Sequence, residues 1–117
     1  MIVKDAVEFL RANQHRSGVL ATWTEKDMVW WVMNSIRNEA ITYHLDEKSG
    51  ELDGITLCRK DLVNRVMFVM MCVATNTDAL KSMLGYFKIN YPNWKLIGKR
   101  HGNQIKHFNT NKLWEAH

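Results

Sequence analysis

Two groups of residues in this 117-residue chain have the types and spacing to do chemistry. The first is Thr75-Asn-Thr-Asp78, which follows an apolar run and precedes a helical apolar stripe. The free amides and the macrodipole of a helix start can hold a phosphate. Val73, Thr75, Asn76 and Thr77 are therefore candidate cofactor-binding positions. Their hydroxyls and the Asp78 carboxylate also make an ordinary helix cap, with Thr77 as the expected capping residue. Asp78 would repel an anion, and no glycine lies between Val73 and Leu84 to let the backbone wrap a diphosphate. The second group is Lys95, Lys99, Arg100 and Lys106, interleaved with Tyr91, Trp94, Phe108 and Trp114. Cations neutralise phosphates and flat rings stack on bases, so nucleic acid is one reading. An acidic protein surface is another, and a merely solvated face a third.

Other chemistry finds less support. The histidines at 15, 44, 101, 107 and 117 lack metal-ligand spacing, and no cysteine stands near them, so no metal is expected. Cys58 would need a base to act as a nucleophile, and a buried structural thiol is the commoner fate. Tyr43, His44, Asp53 and Asp61 fall at expected strand ends, where an acid or base could act. Their spacing does not say whether they converge.

The elements that must position these residues follow from the apolar periods. Ile2 to Asn13 reads as an amphipathic helix, broken at His15-Arg-Ser-Gly18. Thr24-Glu-Lys-Asp27 is a capping box opening a second helix, whose stripe is Met28, Val29, Val32, Met33 and Ile36. Trp30 and Trp31 are consecutive and cannot share a direction, so one packs on the sheet and the other covers an edge or meets a partner. Ile41, Tyr43 and Leu45 alternate with Thr42 and His44, which suggests a strand with Thr42 and His44 on its wet face. Gly54 to Arg59 pairs with it as a hairpin. Val66 to Ala74 is apolar on both faces and belongs at the centre of a covered sheet. A helix from Asp78 to Asn90 stops before Pro92; strands follow at Trp94 to Arg100 and Gln104 to Asn109.

Composition bounds the answer. The chain is long enough for one domain over residues 1–117, and 46% of it is apolar, so a packed core is expected rather than disorder. The net charge of +4 is unevenly placed: residues 1–78 carry nine Lys/Arg against eleven Asp/Glu, and residues 79–117 seven against one. Such a cationic end attracts polyanions. Met1 to Leu10 lacks a signal-peptide core, and no apolar run reaches the roughly 20 residues of a membrane span. The expectation is a cytoplasmic protein, or one packaged by something made inside a cell, with no membrane partner.

The order of these elements resembles the GNAT acyltransferase superfamily, with Val66 to Ala74 and Asp78 to Asn90 as the strand and helix that flank acetyl-CoA. Tyr91-Pro-Asn-Trp94, Gly98-Lys-Arg-His-Gly102 and Ile105-Lys-His-Phe108 are similar to the endings of small GNAT-like proteins encoded among bacteriophage virion genes. A more distant likeness is to toxin-activating lysine acyltransferases, which share the fold without the usual loop for the CoA pyrophosphate. The resemblance implies an α+β fold, with a mixed, mostly antiparallel, twisted sheet and helices on both faces. It also implies acetyl-CoA or another acyl donor as cofactor and either acyl transfer or a non-catalytic role in the virion. In place of the family's glycine-containing loop stands Thr75-Asn-Thr-Asp78, and no catalytic residue carries over. A basic binding module for nucleic acid or an acidic protein, using Lys95, Lys99, Arg100 and Lys106, is the alternative.

Overall fold

Alternating and helical apolar periods become, in the computed structural model, a mixed sheet between helices. The structure describes residues 3–100 and 104–107, with side chains described through residue 98. Helix α1 (Val3–Ala12) is followed by two short 3-10 turns, Gln14–Arg16 and Leu20–Thr22, and by helix α2 (Glu25–Arg37). Strands β1 (Ile41–Leu45), β2 (Leu52–Asp61) and β3 (Val66–Ala74) lead into helix α3 (Thr77–Asn90), then β4 (Lys95–Arg100) and β5 (Gln104–His107). The class is α+β, as expected.

The five strands lie in chain order, antiparallel except for the parallel pair β3–β4. The doubly apolar run Val66–Ala74 therefore sits in the middle, where both faces can be covered. One core joins α1 and α2 to Ile55, Leu57, Met71 and Val73. The other joins α3, through Leu84 and Phe87, to Cys58, Met67, Val69 and Leu96. Successive residues Leu57 and Cys58 point to opposite faces of β2, and the extra residue Met70 switches the face of β3 between Val69 and Met71, so these two cores lie on the two sides of the sheet.

Local chemistry fixes the helix starts. Thr24 closes the expected capping box: its hydroxyl accepts from the Asp27 amide (3.1 Å), and the Asp27 carboxylate accepts from the Thr24 amide (2.8 Å). Trp31 packs against the first core and stacks on Trp23 at 5.8 Å, whereas Trp30 is exposed.

Three expectations are corrected. On β1, Thr42 is buried and His44 half-buried, while Tyr43 and Leu45 are the exposed residues. The reason is that Thr42 and His44 lie opposite Thr56 and Gly54, on the side that α3 covers. On α2, Met33 and Ile36 are exposed; the buried stripe narrows to Met28, Val32 and Ser35 because, among the described residues, no element covers the flank that carries Met33 and Ile36. The cap of α3 is Asn76, not Thr77, because Asn76 holds the extended backbone of a capping residue and Thr77 is already helical.

Candidate functional site

The carboxyl end of β3 and the first turn of α3 meet a carboxylate that a backbone irregularity turns inward. His44 pairs with Gly54 and Leu45 with Leu52, so Asp53 is the unopposed residue of a bulge in β2. A bulge re-aims a side chain. Here it directs Asp53 toward β1 and α3, with its residue 7% exposed. One oxygen of its carboxylate lies 2.7 Å from His44 Nδ1, and the other accepts from Asn76 Nδ2 at 3.1 Å. The Thr75 amide and hydroxyl both donate to the Asp53 carbonyl, at 2.9 and 3.2 Å. Asn76 completes the chain, its side-chain oxygen accepting from the Ala79 amide at 2.8 Å.

Asp53 and His44, separated in sequence, thus converge. A carboxylate only accepts, so in the neutral imidazole the proton sits on Nδ1 and the Nε2 lone pair is left basic. The dyad can accept a proton. His44, Gly54 and Ala74 form one row across β1, β2 and β3. Alpha-helix α3 rests on that row, since a Cβ on Gly54 would stand 2.8 Å from Met83 Cε and 3.3 Å from Ala79 Cβ.

The far edge of β3 is the second feature. The parallel ladder pairs Val66 with Lys95 and ends at Val69 with Gly98, while β3 runs on to Ala74. Against β2, Leu57 pairs with Met71 and Cys58 with Val69, leaving Met70 as a bulge. The sheet opens where that bulge lies. β3 thus runs on to Ala74 past the last pair of its parallel ladder with β4.

The expected cofactor-binding positions divide accordingly. Val73 points into the core shared with α1 and α2, so only its backbone faces the opening. Thr75 and Asn76 are committed to Asp53 and Ala79; Thr77 is exposed in the first turn of α3, beside Asp78. Of the basic positions, Lys95 is exposed at the start of β4, its amide donating to the Arg65 carbonyl at 3.0 Å. Lys99 and Arg100 follow in β4, and Lys106 pairs with Gly98 across β5; their side chains lie outside the described residues. The turn expected at His101-Gly-Asn103 lies outside them as well.

The sequence reading missed the companions of Lys95. Arg59 stacks over the Phe68 ring at 4.8 Å, Lys60 over the Tyr91 ring at 5.0 Å, and Arg65 closes the turn between β2 and β3. They belong to the half of the chain whose net charge is negative, so a charge tally hides them. Cys58 is no nucleophile: burial pushes its thiol up, and the neighbouring Cys72 pushes it further. Among the described residues no His, Cys, Asp or Glu group could hold a metal ion, and no helix is long and apolar enough to cross a membrane. No family model, curated protein or solved structure matches this chain.

Proposed function

We propose that this chain is a GNAT-like protein that holds an acyl donor, acetyl-CoA or another acyl-thioester, in extended form at the end of β3, past its ladder with β4. The observation that carries the proposal is the ending of the parallel ladder at Val69 and Gly98, beside the Met70 bulge, while β3 continues. Strand backbone that continues past its last ladder pair can present N–H and C=O groups to an extended ligand with amides of its own. The first turn of α3 stands at the end of that row. Asn76 already occupies the Ala79 amide and Asp78 adds negative charge there, so the diphosphate is held weakly and the amide-bearing arm supplies most of the grip. A role among virion components, catalytic or not, fits the same reading. No residue is assigned as the catalytic base, because His44 lies on β1, two strands from the β4 side of β3.

Calorimetry with acetyl-CoA, paired with amide chemical-shift mapping, tests it. Saturable binding with shifts concentrated at Met70 to Thr77 is the expected result. No heat at millimolar acetyl-CoA, or shifts scattered over the molecule, overturns it.

A further inference from the structure

The turn between β2 and β3 presents the most solvent-exposed aliphatic pair in the described chain, Leu62 at 74% and Val63 at 91%. We propose that this tip and the cations around it dock on an anionic lipid surface. Arg59 and Lys60 precede the tip on opposite faces of the sheet, Arg65 follows it, and Lys95 is tied to Arg65 through the backbone. Four cations thus lie at the same end of the sheet as the two exposed aliphatic side chains. Asp61 is the acidic residue in this turn, and its carboxylate is occupied by the Asn64 amide (3.1 Å) and the Asn64 side chain (2.8 Å). Those bonds, with Arg65 in the left-handed region (φ 54°), hold the tip in one shape.

The chemistry of the tip selects the partner. Nucleic acid is gripped by cations and bare flat rings, but of the rings here Phe68 and Tyr91 lie beneath Arg59 and Lys60, and Trp94 is half-buried against Tyr91 and the second core. A convex pair of aliphatics needs a matching pocket on a protein partner, whereas the fluid boundary of a bilayer admits it without one. Aliphatic insertion combined with cations near lipid phosphates is the recipe for surface attachment. The expectation of no membrane partner rested on the lack of a spanning segment, which does not bear on docking at the surface.

Sedimentation of the full chain with vesicles of phosphatidylcholine, alone or mixed with phosphatidylglycerol, tests the proposal. Binding only to the mixed vesicles, weakening as salt is added, is expected. Leu62→Ser with Val63→Ser should lower partitioning at least about tenfold, since each buried methylene contributes. Arg65→Glu with Lys95→Glu should abolish it, and Lys48→Glu, in the turn between β1 and β2, should change nothing. Thermal melts confirm that each variant is folded. Failure to bind the mixed vesicles, equal losses from Lys48→Glu, or retention by the folded Leu62/Val63 variant overturns the proposal. So does binding of a single-stranded oligonucleotide through Arg65 and Lys95 without vesicle binding.

Discussion

His44 Nδ1 and Asp53 Oδ1 lie 2.7 Å apart, with the carboxylate buried and the imidazole partly exposed. The same carboxylate holds Asn76, so one side chain fastens the β1–β2 hairpin to the cap of α3. Replacing it leaves an amide donor and an imidazole without their acceptor. Asp53→Ala should therefore cost about 1–3 kcal/mol, and Asp53→Asn less, because the amide keeps one acceptor and can donate to Nδ1. Urea denaturation of both variants, closed as a cycle with His44→Gln, should return a coupling of about 0.5–3 kcal/mol. Additive losses would show that the two side chains act separately.

The capping assignment makes a second, opposite pair of expectations. Asn76 supplies the oxygen that accepts from the Ala79 amide, and Thr77 supplies none. Asn76→Ala should cost about 1 kcal/mol or somewhat more, given its added bond to Asp53. Thr77→Ala should stay within about 0.5 kcal/mol. Equal costs in equilibrium unfolding would return the cap to Thr77.

The architecture was legible because apolar period and helix-stop chemistry act locally. The doubly apolar run at Val66–Ala74 identified the central strand, and Thr24 with Asp27 marked a helix start. What could not be read was which face of β1 is wet, because that depends on where α3 lands. Thr42 and His44 look like solvent-facing residues until Thr56 and Gly54 bring them beneath a helix. The bulges at Asp53 and Met70 left no mark in composition either, since a bulge is a property of two strands in register. Without them neither the His44–Asp53 contact nor the opening of β3 could be foreseen. The cationic end was half legible: Lys95 was found from its neighbours in sequence, whereas Arg59, Lys60 and Arg65 reach it only through the sheet.

Two turn aspartates contribute to the acid limb of stability. The Ser49 amide, then the Lys48 amide, hold the Asp46 carboxyl below its usual range; the Asn64 side chain, then its amide, do the same for Asp61. A carboxyl lowered in the folded state stabilises the fold fully above its unfolded pKa of about 3.9. That contribution is lost as pH falls through the lowered folded value. Urea midpoints measured from neutral pH downward should decline more steeply for the natural chain than for Asp46→Asn with Asp61→Asn. Parallel acid limbs would mean that the turn bonds are no stronger to the charged form than to the neutral one.

Gly54 is the point where sheet and helix come closest. A methyl group there would stand 2.8 Å from Met83 Cε, 3.2 Å from its sulfur and 3.3 Å from the Ala79 Cβ. The Met83 terminus can swing aside, but Ala79 is fixed to the helix backbone, so α3 must lift slightly. Gly54→Ala should cost about 1–3 kcal/mol as an overpacked contact. Shortening Met83 to Ala by itself should cost about 2–5 kcal/mol, because that side chain is fully buried. In the double variant the new methyl occupies part of the vacated space, so the combined loss should be smaller than the sum of the two. Strict additivity, measured by urea denaturation, would mean that Ala79 rather than Met83 sets the spacing of α3 from the sheet.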